Sequence, residues 1–190
     1  PPPAPPPPPP PPRVPERHWS AGASLALRFV TGLSVLPGDD VSFGASLAME
    51  LPLRDRWRLL AGGAYLPSVL AERGPTLAYG LAEFWLGAGF DFYRNTFLAI
   101  GAQAALRAGA VQAFVFEGEP SSPGDHPWFA ASFGARVRLR IIGPLRLEVA
   151  AEGIVPLTPY RFFAEGRREP LAEHFPFAGA FSAGLGAQFR

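Results

Sequence analysis

Eight segments in which large apolar residues alternate with small or charged ones, connections that are short and long in turn, and an opening run of prolines together predict one fold class. The chain reads as all-β: an eight-stranded antiparallel up-and-down transmembrane β-barrel with an N-terminal polyproline tail. Residues 1–17 form the proline-rich linker and residues 18–190 the barrel.

The tail comes first. Pro1 to Pro12 are all proline except Ala4. Such a run has no amide donors and a fixed φ, so it takes the polyproline II form and builds no core. At about 3.1 Å per residue it extends roughly 37 Å. It reads as a stiff spacer in the periplasm, tethering the barrel to a periplasmic domain upstream. A docking role for a proline-binding domain would need specificity residues beside the run, and Arg13, Glu16 and Arg17 are the ones at hand.

Period 2 sets in at Trp19. Successive side chains of a strand point to opposite faces, so each segment is two rows. Residues 19–30 set Trp19, Leu25, Leu27 and Phe29 against Ser24, Ala26 and Arg28. Residues 41–53 set Phe43, Leu47 and Met49 against Ser46, Ala48 and Glu50. Residues 57–66 alternate least clearly, with Trp57, Leu59 and Tyr65 opposite Arg58, Leu60 and Gly62. Residues 77–92 place Phe84, Leu86 and Phe90 opposite Glu83, Trp85, Gly89 and Asp91. Residues 97–116 place Leu98, Ile100 and Leu106 opposite Gly101, Gln103 and Arg107. Residues 128–141 place Phe129, Phe133, Val137 and Leu139 opposite Ser132, Arg136, Arg138 and Arg140. Residues 145–155 set Leu145, Leu147 and Val149 against Arg146, Glu148 and Glu152. Residues 177–189 set Phe177, Phe181, Leu185 and Phe189 against Ser182, Gly184 and Gln188.

Three connections are tight: Arg54-Asp55-Arg56, Arg94-Asn95-Thr96 and Ile142-Gly143-Pro144. Four are longer, at residues 31–40, 67–76, 117–127 and 156–176. An up-and-down barrel in an outer membrane has short turns on the periplasmic side and long loops outside.

The contents of the two rows decide which faces outward. One carries Phe, Leu, Val and Trp. The other carries Gly, Ala and Ser with the charges Arg28, Glu50, Glu83, Asp91, Arg107, Arg136, Arg138, Arg140, Arg146, Glu148 and Glu152. The interior of an eight-stranded barrel is only just wide enough for side chains, so the bulky row would overpack it. With the small row inside, both signs of charge share one lumen, where they can pair rather than lie buried alone. Lipid then solvates the Phe and Leu. Aromatic residues cluster at strand ends (Trp19, Trp57, Tyr65, Phe92, Tyr93, Phe97, Trp128 and Phe177), as in an interfacial girdle.

Composition narrows the function classes. The formal charge is +1, which gives no bias toward nucleic acid. There is no cysteine, so neither a disulfide nor a thiolate metal site can form. No apolar run approaches the roughly 20 residues of a transmembrane helix. A membrane barrel reaches the periplasm through a signal peptide, and none is visible at Pro1, so the sequence is expected to be a mature chain or a fragment.

On this face pattern and loop alternation, residues 19–190 resemble the small eight-stranded outer-membrane barrels of the OmpA membrane-domain and OmpX type. The last strand, with Phe181, Leu185 and Phe189 on its apolar row, resembles that family's C-terminal assembly signal, although Arg190 follows the final aromatic. The resemblance implies integral residence in a bacterial outer membrane, contact with its lipid and lipopolysaccharide, and recognition by the outer-membrane insertion machinery.

Candidate chemistry is sparse. His18, His126 and His174 are scattered, and no metal site is expected, since one needs three or four converging ligands. Some barrels of this size modify lipid, which needs a nucleophile beside a base. Ser68, Ser121, Ser122 and Ser182 have no such neighbour in the sequence, so no catalytic residue and no cofactor is expected. Arg136, Arg138 and Arg140, with Arg146 and Glu148, read as a lumenal salt-bridge network, or alternatively as the lining of a narrow anion-preferring pore. The longest loop holds Tyr160, Arg161, Phe162, Phe163, Arg167 and Arg168, residue types common at contact hot spots, and reads as a surface-contact loop. The expected function is a structural anchor or surface-interaction barrel with a plugged, salt-bridged lumen.

Overall fold

Alternation becomes structure through closure. In hydrocarbon every backbone N–H and C=O must be paired internally, and a sheet achieves this only by joining its own edges. A computed structural model describes residues 22–36, 41–67, 70–71, 77–115, 125–158, 161–163, 170–173 and 175–189. Its strands are β1 (Ser24–Leu33), β2 (Val41–Pro52), β3 (Trp57–Leu66), β4 (Leu70–Ala71), β5 (Leu77–Arg94), β6 (Leu98–Val115), β7 (Asp125–Ile142), β8 (Leu145–Pro156), β9 (Arg161–Phe163), β10 (Pro170–Glu173) and β11 (Ala178–Gln188).

The sheet order β3-β2-β1-β11-β8-β7-β6-β5-β4 is closed by pairing of β3 with β5. Eight strands make the barrel wall: β1, β2, β3, β5, β6, β7, β8 and β11. Every barrel pairing is antiparallel, and the seam joins the first strand to the last, Leu27 opposite Leu185. The two-residue β4 extends the β5 edge, and β9 with β10 forms a separate hairpin within the longest loop.

Each segment expected from period 2 has its strand. The ends differ where the ladder outlasts the alternation. β7 begins at Asp125, because Asp125, His126 and Pro127 pair with Gln112, Val111 and Ala110 of β6. β5, β6 and β7 are 18 residues long each, against 10 to 12 in the other wall strands. About 9–11 residues cross a bilayer, so these three strands stand above the rest on the loop side and the rim is oblique.

The turn end is tight for local reasons. Gly143, at φ 52°, sits first in the two-residue Gly143-Pro144 hairpin, the left-handed position that glycine fills without strain. Asn95 closes β5 to β6 by accepting, through Oδ1, the N–H groups of Phe97 at 2.9 Å and Leu98 at 2.8 Å.

The face assignment follows the expected parity. Leu25, Leu27 and Phe29 of β1 are exposed while Ser24, Ala26, Arg28 and Val30 are buried. Phe84, Leu86, Leu106, Phe133 and Leu185 are likewise on the outside. An apolar exterior around a charged interior inverts a water-soluble barrel. Trp128 corrects the expected girdle: it is 0% exposed, packed inside the lumen, whereas Trp57, Tyr65, Phe92, Tyr93, Phe97 and Phe177 are exposed on the outer face. Its even-numbered position shares the inward parity of Ala130 and Ser132, which outweighs its place near a strand end. Trp19 lies outside the described residues.

Candidate functional site

The lumen has three tiers. Nearest the short turns, five arginines meet three carboxylates. Arg138 Nη1 donates to Glu50 Oε2 at 2.6 Å, and its Nη2 donates to both oxygens of Asp91 at 2.5 Å. Arg136 bridges the same two acids, at 2.9 Å to Glu50 and 3.2 Å to Asp91. Arg58 Nε donates to Asp91 Oδ2 at 3.1 Å. Glu148 accepts from Arg28 Nε at 3.0 Å and Nη2 at 2.5 Å, and also pairs with Arg146, which in turn donates to Ser24 Oγ. All eight charged side chains are nine-tenths or more buried. Charge-assisted bonds of this kind are the strong ones, and planar guanidinium forks suit shared carboxylates.

Backbone placement makes room for them. A Cβ at Gly89 would lie 2.5 Å from Nη2 and 2.6 Å from Cζ of Arg136, so glycine is what lets that guanidinium cross the lumen.

The middle tier reverses the balance. Arg107 pairs with Glu83 at 2.5 Å and also with Glu152, while Gln103 Nε2 donates to Glu152 Oε1 at 2.6 Å. The Arg107 guanidinium carbon lies 5.5 Å from the centroid of Trp85, within cation–π range. A cavity of about 30 Å³ lies here, lined by Glu83, Trp85, Gln103, Arg107, Glu152 and Ser182 among others. That is room for one or two waters, on the scale of about 15–30 Å³ each.

The loop end is apolar. Val35, Leu36, Leu66, Leu81, Val111, Trp128 and Ile154 form one buried cluster with small residues between them. Val35 and Leu36 come from the β1–β2 connection, entering the mouth just after Ser34, whose φ is 54°.

Of the charged residues expected in the lumen, Arg28, Glu50, Asp91, Arg136, Arg138, Arg146 and Glu148 meet in the turn-end tier, and Glu83, Arg107 and Glu152 in the middle one. Arg140 is a correction. It sits beside the bulge between Arg140 and Ile142, opposite another cation, Arg146, and its Nε donates to the turn carbonyl of Gly143 at 2.9 Å. Like charges directly opposite repel, so one of the pair turns away from the network. Arg58 and Gln103 also belong to the network: the alternation sets both on the small row, but the expected network did not include them. Arg58 shares the inward parity of Leu60 and Ala64, and that parity was its available signal.

Phe181, Leu185 and Phe189 all lie exposed on the outer face at the last strand. Arg161, Phe162 and Phe163 form β9, while Tyr160, Arg167 and Arg168 lie outside the described residues, as do His18, His174, Ser68, Ser121 and Ser122. His126 is exposed near the loop end of β7. Ser182 faces the central cavity. Among the described residues no three His, Cys, Asp or Glu side chains gather as a metal would require.

A closed eight-stranded sheet, apolar outside and ionic inside, defines the outer-membrane β-barrel fold. Solved structures of that class match the chain. A major outer membrane protein from Thermus thermophilus superposes with a TM-score of 0.59 at 11% identity, covering 88% of this chain and 99% of that one. Ail, the attachment invasion locus protein of Yersinia pestis, gives 0.56 at 12% identity, covering 90% and 99%. Neisserial surface protein A gives 0.56 at 13% identity, covering 88% and 96%. At these identities the likeness is one of fold. No family model matches the sequence, and no curated protein matches it.

Proposed function

We propose that the chain is an integral protein of a bacterial outer membrane, a structural anchor or surface-interaction barrel whose lumen is plugged and carries no ions. The observation that supports this most is the filling of the lumen: two tiers of mutually bonded ionic side chains, about 30 Å³ of free space between them and an apolar tier above. The alternative of a narrow anion-preferring pore has in its favour the excess of arginine in the turn-end tier. Those guanidiniums are engaged by carboxylates and lie behind the apolar cluster, which weighs against it. No nucleophile beside a base among the described residues supports the reading of a lipid-modifying enzyme.

In this reading the short turns and the proline-rich tail face the periplasm, and the loops and the raised β5–β7 rim face outward. Lipid and lipopolysaccharide surround the barrel, the last strand with Phe181, Leu185 and Phe189 is what the insertion machinery reads, and the β9–β10 hairpin presents the contact surface. Two of the similar folds belong to proteins named for attachment or surface location, which fits this role.

Refolding into liposomes, followed by gels with and without boiling and by planar-bilayer recording, tests the proposal. A boiling-dependent mobility shift with no unitary conductance is expected. A steady conductance with anion preference would replace the plugged barrel by the pore.

A further inference from the structure

The short turns carry charge that barrel closure does not use. Arg54 and Arg56 lie between β2 and β3, Arg94 ends β5, and Arg140 stands beside the bulge that leads to Gly143. Arg54 and Arg56 are exposed, Arg94 and Arg140 half-buried. Among the described residues none of the four is ion-paired, whereas every arginine of the lumen is. Arg94 Nη1 donates to the Asp55 carbonyl at 2.5 Å and Arg140 Nε to that of Gly143. A guanidinium has five N–H donors, so each keeps most of them without a described partner. The turns are also neighbours. The Arg94 bond joins the β2–β3 turn to the β5–β6 turn, and the Arg140 N–H donates to the Phe97 carbonyl at 2.8 Å, joining that turn to β7. Four cations thus share one arc of the rim, and Asp55 is the one acid in the three turns.

Two further observations say what faces this arc. Trp57, Phe92, Tyr93, Phe97 and Ile142 are exposed on the outer face at the same end, and exposed aromatics at strand ends mark the headgroup level of a bilayer. Arg56 adjoins Trp57 and Arg94 adjoins Tyr93, and a strand advances only about 3.3 Å per residue, so the guanidiniums lie at the level of lipid phosphates. A soluble acidic partner would instead need a surface standing clear of the membrane. The opposite end carries the opposite sign: the connections at residues 31–40, 67–76, 117–127 and 156–176 contain nine acids and four arginines. Charge is therefore segregated along the barrel axis.

We propose that the arc of Arg54, Arg56, Arg94 and Arg140 gathers anionic glycerophospholipid, of the phosphatidylglycerol kind, around the turn end of the barrel. Each planar guanidinium can offer two N–H groups to two phosphate oxygens. A zwitterionic headgroup brings a cation of its own and leaves the arc uncompensated, whereas an anionic one supplies the missing charge. The inference rests on the membrane-barrel reading and adds to it a lipid class and the residues that select it. It is independent of whether the lumen conducts.

The test refolds the full chain into phosphatidylcholine vesicles that carry a trace of spin-labelled phosphatidylglycerol or, in parallel, of spin-labelled phosphatidylcholine. Electron spin resonance gives the share of each label held at the protein surface. A preference for phosphatidylglycerol of about threefold is expected, the scale of one partly screened surface charge averaged over the lipid shell. One chain carrying Arg54→Gln, Arg56→Gln, Arg94→Gln and Arg140→Gln should lose the preference, and Arg73→Gln, in a connection at the opposite end, should keep it. The boiling-dependent gel shift reports folding of each variant. If the fourfold variant loses that shift, Arg54→Gln with Arg56→Gln, which breaks no side-chain bond to a described residue, takes its place and should weaken the preference by about half. A parent chain without the gel shift would refute the membrane-barrel reading and this proposal with it. With the shift present, equal holding of the two labels, a preference that survives the substitutions, or one that falls as far with Arg73→Gln would overturn the proposal alone. So would loss of the preference on adding dissolved glycerol phosphate, which would assign the arc to a free anion.

Discussion

Arg138 and Asp91, carried on strands that are not neighbours in the sheet, meet across the lumen with Arg138 Nη2 at 2.5 Å from both carboxylate oxygens. Asp91 also accepts from Arg58 and Arg136, so one carboxylate holds three guanidiniums. Five arginines share three acids in this tier, which makes acids the scarcer partner.

That scarcity predicts an asymmetry. Asp91→Ala leaves buried cations uncompensated and is expected to cost about 3–5 kcal/mol. Arg138→Met removes one cation from an excess and keeps the volume, so it should cost clearly less. Urea unfolding from liposomes measures both, and an equal or reversed order would show that the tier is not limited by its acids.

Arg140 provides the matching control. Its guanidinium bonds the Gly143 carbonyl on an exposed turn, and Arg140→Ala should change stability by less than about 1 kcal/mol. A loss as large as that of Asp91→Ala would place Arg140 back inside the network.

Gly89→Ala drives a methyl group into the Arg136 guanidinium. Overpacking of this kind costs about 1–3 kcal/mol, and the same change at Gly143, where nothing lies within 4 Å, acts only through its positive φ. A Gly89→Ala variant as stable as the parent would mean that Arg136 has another route to Glu50 and Asp91.

The outer face predicts a depth-dependent penalty. Leu27, 64% exposed, pairs with Leu47 and Leu185 near the middle of its strand. Leu27→Arg should destabilise the barrel by about 2–4 kcal/mol in bilayers, falling toward zero for Leu53→Arg beside a turn. A barrel folded in lipid that tolerates Leu27→Arg freely would have its faces assigned wrongly.

Ionic strength should matter little, since buried pairs are poorly screened. Raising potassium chloride to about 1 M is expected to leave the unfolding midpoint nearly unchanged. A pronounced drop would indicate that the network is open to solvent.

The wall was legible in the sequence because lipid outside and a narrow lumen inside impose opposite demands on successive residues. Leu25, Leu27 and Phe29 against Ala26, Arg28 and Val30 leave little choice. Arg58 stood on the right row but outside the expected network, because β3 carries a single charge on its inward row and Leu59-Leu60 blurs the alternation there. Trp128 misled for a different reason: nearness to a strand end says how high a residue sits, while parity says which way it points. Val35 and Leu36 follow no strand parity, since a connection enters the mouth by tertiary packing. Arg140 shows the limit of counting by twos, which fails beside a bulge.

Several bonded partners in the turn-end tier are remote along the chain. Arg138 and Glu50 are 88 residues apart, Arg28 and Glu148 are 120, and Arg146 and Ser24 are 122. Glu83 and Arg107 pair within the β5–β6 hairpin, but no single hairpin neutralises the turn-end tier. A sheet still open at the β1–β11 seam would carry guanidiniums without counterparts into a medium that cannot hydrate them. The full set of turn-end pairs thus exists only once the first and last strands have met.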